Sequence, residues 1–235
     1  MYVCVCGKSS GDVVVVNQGG GTNVAGRTGV VVWNSGSLLA RVLNLLGPNV
    51  FQGKTVLELG CGTGLNSIVA SKLGASTVYA TDGNELILQL AKENVNLNHA
   101  SVKIKELSWG WMDAMEFDEQ IDIVLGSDLT YNSNGWNALA QTMDTILSPN
   151  GFVLYLTCGH SGFTVDGEIN GFRTVLTSTT SLKSLSTTPI LQRLWNSLTP
   201  KEQQIIGNRD GIQILLLTRK TNTNTNIANL ISFVS

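Results

Sequence analysis

Charge is scarce in this sequence: only 14% of its 235 residues are Asp, Glu, Lys or Arg, against roughly 25% in an average domain. A surface so poor in ions must be wetted by Ser, Thr and Asn. The 15 basic and 17 acidic residues leave a formal net charge of −2. They are scattered without a basic stripe, which argues against nucleic acid as a partner. Long apolar runs are missing too, and none approaches the roughly 18 residues of a membrane span. The opening MYVCVCGKSSGD has neither a basic start nor an apolar core, so no secretory leader is expected. The four cysteines, Cys4, Cys6, Cys61 and Cys158, have neither disulfide nor zinc spacing. Reduced thiols in a cytoplasmic protein are the expectation, with the nucleus as alternative compartment. Two histidines, His99 and His160, signal no Ser-His-Asp or Cys-His arrangement, so no covalent nucleophile is indicated. No metal is expected.

What is present is a regular alternation. The β-branched runs Val3–Cys6 and Asp12–Asn17 predict an N-terminal hairpin, followed by a flexible Gly19–Gly21. Ser37–Leu46 has helical apolar spacing closed by Gly47-Pro48. From Thr55 onward TVLELG, STVYATD, Val102–Leu107, Ile121–Leu125 and Phe152–Thr157 read as strands. LNSIVASKLG, ELILQLAKENVNLN and Gly135–Leu147 read as the helices between them. Such a series implies a Rossmann-like α/β sheet, mostly parallel, with helices on both faces. Helices at Glu168–Leu176 and Leu191–Gln204 and a closing antiparallel strand at Gly211–Lys220 complete the reading. The organisation expected is a hairpin extension over 1–27, one domain over 28–220 and a disordered low-complexity tail over 221–235.

The strand TVLEL runs into Gly60-Cys61-Gly62-Thr63-Gly64, and three ligands compete for that turn. A dinucleotide requires G-x-G-x-x-G; here the third glycine arrives one residue early and Leu65 takes its place. A phosphate loop is suggested by GPNVFQGKT. Pro48, however, occupies its first glycine position, and Lys54-Thr55 precedes the strand instead of following it. S-adenosylmethionine, which carries a sulfonium, an ammonium and a carboxylate but no phosphate, suits glycine backbone with carboxylates nearby. Glu58 supplies one carboxylate. Asp82, at the end of the second strand, is placed to take two ribose hydroxyls.

Five ordered segments then resemble one family. They are TGVVVWNSGSLLARVL, GKTVLELGCGTGLNSIVASKLGA, TDGNELILQLAKENVNLN, LSWG and FDEQIDIVLGSDLTY. The stretch from about Thr28 to Thr157 is similar to the family 16 protein-lysine methyltransferases, seven-stranded enzymes of class I that use S-adenosyl-L-methionine. The resemblance implies that Trp33 lies against the cofactor and that Glu58, Gly60, Gly62 and Gly64 surround its methionyl part. It implies Asp82 on the ribose, Trp109 beside adenine and Ser127 at the methionine end. Asp128 and Tyr131, a D-x-x-Y frame, would face the substrate amine. The implied partner is a non-histone protein presenting lysine, and a monomer is expected. A small molecule, a protein histidine or a nucleic acid is the alternative acceptor, and a non-catalytic binding module the alternative class.

Each residue also has a plainer reading. Trp33 could be a buried anchor, and Trp109 a cap on the sheet edge, with Trp111 close enough to be mistaken for it. Asp82 and Asp128 could be N-caps, and Tyr131 ordinary packing. Methyl transfer needs alignment more than covalent chemistry. Asp128 would orient a neutral amine by a hydrogen bond while Tyr131 walls its channel. Asn66, where a small residue is expected, and the Ser/Thr-rich region Ser161–Asn208 depart from the family pattern.

Overall fold

The computed structural model describes residues 2–6, 12–19, 28–115, 117, 120–158, 165–207, 209–222 and 227. The chain divides into two compact units, Met1–Ser108 and Trp109–Ser235.

In the first unit, β1 (Tyr2–Cys6) and β2 (Asp12–Val16) pair antiparallel with Tyr2 opposite Val16, the expected hairpin. A 3-10 turn at Thr28–Val30 leads into α1 (Asn34–Leu46), and α2 (Pro48–Phe51) follows. Gly47, at φ 77°, ends α1, and Pro48 opens α2 where no amide is required. Then β3 (Thr55–Leu59), α3 (Leu65–Lys72), β4 (Thr77–Asp82), α4 (Glu85–Leu97) and β5 (Lys103–Glu106) alternate. The three strands run parallel in the order β5-β4-β3, with Thr55 opposite Thr77 and Tyr79 opposite Lys103. Val56, Leu57, Glu58 and Leu59 are all buried, as in a parallel strand covered on both faces. In α4 the buried positions Ile87, Leu88, Ala91, Asn94 and Val95 fall at helical spacing. Asn84 caps this helix by accepting from the Leu86 amide at 3.0 Å.

The second unit holds α5 (Trp111–Met115), β6 (Ile121–Ser127), a 3-10 turn at Ser133–Gly135, α6 (Trp136–Ile146) and β7 (Leu147–Cys158). It continues with α7 (Val165–Thr179), β8 (Leu182–Leu185), α8 (Thr188–Ser197), α9 (Pro200–Ile206) and β9 (Ile212–Arg219). Strand order is β6-β7-β9-β8; β6 and β7 are parallel, and β9 runs antiparallel to both its neighbours. The closing antiparallel strand is therefore where the sequence placed it.

The last third differs from expectation in three ways. The helix expected at Glu168–Leu176 extends over Val165–Thr179. The single helix expected at Leu191–Gln204 is two, because Pro200 has no amide to continue α8. Thr199 instead forms a capping box with Glu202 that starts α9. The strand β8 went unforeseen, since Leu-Lys-Ser-Leu is too short to show a period and is held by its pairing with β9. The helix α5 went unforeseen as well. Most of the 221–235 tail, His160 and the connection at 7–11 lie outside the described residues.

Candidate active site

The first unit brings Glu58, the glycine turn and Asp82 together. Gly60, Gly62 and Gly64 adopt φ values of 57°, 53° and 80°, a region open to glycine and costly to other residues. At Gly62 an added Cβ would lie 3.1 Å from the Gly29 carbonyl oxygen, so backbone approaches backbone over the turn. Gly64 is the left-handed residue from which α3 starts. The Cys61 amide donates to the Thr81 carbonyl and the Thr81 hydroxyl to the Glu58 carbonyl, at 2.8 and 2.7 Å, clamping the turn to β4.

Glu58 is almost wholly buried, and its carboxylate faces α3. It accepts the Ser67 amide at 2.8 Å, the Ser67 hydroxyl at 2.5 Å and Asn66 Nδ2 at 3.0 Å. Its role is to hold the first turn of α3 against the end of β3, and Asn66 stands where a small residue was expected in order to serve it. Burial pushes the Glu58 carboxyl up to about 7, against the pull of these donors. Burial also lifts the Cys61 thiol well above its ordinary value, aided by Glu58 and Asp82. Cys61 is thus an inert thiol.

Asp82 accepts from the Gly62 amide (3.3 Å) and the Asn84 amide (3.2 Å), one on each carboxylate oxygen. The cap of α4 is Asn84, so Asp82 is not the N-cap. Burial raises its carboxyl above the ordinary value, while the amides of Gly62, Asn84 and Gly83 pull it down. Trp33 is half exposed, and its indole N–H donates to the Thr28 carbonyl at 2.8 Å. It is not a buried anchor. Lys54 precedes β3 and α2 occupies the would-be phosphate loop, so GPNVFQGKT is no phosphate cradle. The donor set, two carboxylate oxygens with spare acceptor capacity beside side-chain-free backbone, fits a ribose-bearing, phosphate-free group such as S-adenosyl-L-methionine.

In the second unit, Ser127 ends β6 opposite Leu156 and is half-buried. Asp128 follows at φ 59°, a left-handed conformation uncommon outside glycine. Its amide donates to the Leu156 carbonyl at 3.1 Å, and its Oδ1 accepts from the Thr157 hydroxyl at 2.9 Å. The cap of the next turn is Asn132, which accepts from the Asn134 amide at 3.1 Å; Asp128 is not that cap. Tyr131 is 52% exposed and therefore not core packing. Trp109 lies half-buried over Gly135, with ring atoms 3.6 Å from where a Cβ would be. Trp111 is exposed on α5. Thr157, which engages Asp128, was missed by sequence reasoning, as were Asn94 and Tyr155. Each is polar and buried, and polarity inside an apolar strand or helix face was the available signal.

Fold and glycine turn together are those of the Rossmann-like fold shared by class I methyltransferases. A ribosomal protein L11 methylase from Lactobacillus delbrueckii subsp. bulgaricus superposes with a TM-score of 0.55 at 18% identity, over 79% of each chain. That likeness shows the seven-stranded mixed-sheet fold. The chain belongs to the lysine methyltransferase family, whose model matches residues 10–161. It is 37% identical over 133 residues to protein N-lysine methyltransferase METTL21A of Danio rerio, covering 54% of this chain and 59% of that protein. It is also 29% identical to protein N-terminal and lysine N-methyltransferase EFM7 of Candida glabrata, covering 62% and 61%. The chain thus spans about three-fifths of the length of these relatives.

Proposed function

We propose that this protein methylates a lysine side-chain amine of a non-histone protein, with S-adenosyl-L-methionine as donor. The observation that carries the reading is the left-handed triplet Gly60, Gly62 and Gly64 held against the Asp82 carboxylate. Family membership and the names of METTL21A and EFM7 support the lysine acceptor.

When bound, the donor supplies an electrophilic methyl group on a sulfonium. The chain's own residues do the rest. Asp82 would take the ribose hydroxyls through acceptor capacity that its two amide donors leave open. Glu58 keeps the turn in register with α3 through Ser67 and Asn66, and Gly60, Gly62 and Gly64 would border the methionyl part. Trp33 would lie against the bound group. Asp128 would accept an N–H from the incoming amine and orient its lone pair. A free lysine has a pKa near 10.4, and a carboxylate neighbour alone raises it. Proton loss therefore precedes transfer, and Asp128 acts in orientation more than as a base. Exposed Tyr131 would line the approach. We also propose a cytoplasmic placement and a monomeric state. Cell fractionation and light scattering test these two points.

Calorimetric titration with S-adenosylhomocysteine should show binding that is lost in Asp82→Ala; absence of binding in the unaltered protein overturns the reading. Labelled donor with a cell extract should then mark a protein band, with the label on lysine and missing in Asp128→Ala. Label on histidine, in RNA or only in small molecules overturns the acceptor.

A further inference from the structure

The loop that carries Asp128 and Tyr131 is buttressed from below by a buried polar chain that the proposed chemistry does not itself require. Tyr155 of β7 is fully buried, and its phenol oxygen accepts the Leu129 amide at 2.9 Å and the Thr130 amide at 3.2 Å. The same oxygen lies 2.7 Å from Thr130 Oγ1, and the Thr130 hydroxyl donates to Glu168 Oε1 of α7. With that hydroxyl proton directed to Glu168, the Tyr155 proton must point to Thr130, leaving the phenol lone pairs for the two amides. The Trp136 indole N–H takes the Thr130 carbonyl at 2.8 Å. Every polar atom of buried Thr130 is thus engaged.

The chain continues on both sides. Tyr155, Leu156 and Thr157 are consecutive in β7 and hold, in turn, the Leu129 and Thr130 amides, the Asp128 amide and the Asp128 carboxylate. Phe172 packs on the rings of Trp136 and Tyr155, at 6.3 and 6.2 Å between centroids. A Cβ on Gly171 would meet the Trp136 ring at 2.5 Å, so only glycine lets α7 approach closely enough for Glu168 to reach Thr130. A left-handed Asp128 persists only where its surroundings over-determine it, and this set of contacts does so.

We propose that Tyr155, Thr130 and Glu168 are positioning residues for the acceptor site, fixing the backbone from which Asp128 and Tyr131 project. The inference rests on the methyl-transfer reading above. It also gives α7, within the region that departs from the family pattern, a part in the reaction.

The test compares Thr130→Val, which keeps shape and loses the hydroxyl, with Thr130→Ser, which keeps it. Tyr155→Phe and the pair Glu168→Gln and Glu168→Leu repeat the comparison should the valine variant fold poorly. Three quantities are read on the full chain: affinity for S-adenosylhomocysteine, turnover against KM for the labelled protein, and hydrogen exchange of the Leu129 and Thr130 amides. Thr130→Val, Tyr155→Phe and Glu168→Leu should lose turnover about ten- to hundredfold, the scale expected of a misplaced group. Donor affinity should stay within about twofold and both amides should exchange faster. Thr130→Ser and Glu168→Gln should restore turnover and amide protection. Equal turnover in Thr130→Val and Thr130→Ser overturns the inference, as does unchanged exchange in all three disruptive variants. If the unaltered protein binds the donor but transfers to no protein, the acceptor role falls with the functional reading. The exchange rates then decide the loop-setting role on their own.

Discussion

Asn94 and Asn17 exchange two hydrogen bonds: the Asn17 amide donates to Asn94 Oδ1 at 2.7 Å, and Asn94 Nδ2 donates to the Asn17 carbonyl at 3.1 Å. The same Nδ2 donates to the Thr63 carbonyl, inside the glycine turn, at 2.9 Å. One turn further along α4, Asn98 repeats the exchange with Val15, at 2.9 and 2.6 Å. Residues four apart lie on one face of a helix, and residues two apart share one edge of an extended chain. The helix α4 thus offers two side-chain amides as a substitute strand, and the N-terminal hairpin docks on it by a ladder of main-chain type.

From this, Asn94→Ala and Asn98→Ala should both lower the melting temperature, since buried polar groups left unpaired cost roughly 1–3 kcal/mol each. Only Asn94→Ala should weaken S-adenosylhomocysteine binding, because only Asn94 reaches Thr63. Equal weakening by both, measured by calorimetry, would refute the link between hairpin and turn.

The raised Glu58 carboxyl makes a pH prediction. Its ordinary value is 4.5 and its folded value about 7, so between these the folded chain holds a proton that the unfolded chain has released. Stability should fall as pH rises through that window and level off above it. The full span is of the order of 3 kcal/mol. Glu58→Gln, which keeps an acceptor for Ser67, should flatten this slope in denaturant titrations between pH 4.5 and 7.5. Glu58→Ala strands the Ser67 amide and hydroxyl and should destabilise at every pH.

Left-handed glycines separate strain from contact. Gly53 (φ 74°) and Gly62 (φ 53°) both resist a side chain, but Gly53 faces open space while Gly62 faces the Gly29 carbonyl. Gly53→Ala should cost about 1–2 kcal/mol and leave donor affinity intact. Gly62→Ala should cost at least as much and reduce affinity at least tenfold, since the turn must open. Thermal melts and calorimetry on the pair check both arms.

Asp128→Gly relieves the φ of 59° while removing the hydrogen bond from Thr157. Left-handed strain and a hydrogen bond are each worth about 1 kcal/mol, so stability should change by less than about 1 kcal/mol. Transfer to the labelled protein should nonetheless fall at least a hundredfold. A variant that retains activity would show that the carboxylate does not orient the amine.

Much of the geometry of the glycine turn was legible because its signals are local. A glycine turn after a buried strand, and an acid at the end of the next strand, are fixed by backbone sterics and chain order. The strands β3 to β7 and the closing β9 were legible for the same reason, as apolar runs bounded by turns. Pro200 stood in plain view, yet its break between α8 and α9 was read through. Glu58 was identified, but not its partners. Nothing in its neighbours' order says that its carboxylate turns toward Asn66 and Ser67.

Sequence alone determined where the glycine turn falls, where strands end, and which acids stand at those ends. These depend on covalent geometry and on contacts a few residues apart. Only the tertiary structure decided which buried polar groups meet: Asn94 with Asn17 across 77 residues, Tyr155 with Thr130 across 25, and Thr130 with Glu168 across 38. A buried polar group must find a partner, but the rule names none. The packing of β2 on α4, and of α7 on the Asp128 loop, made the choice.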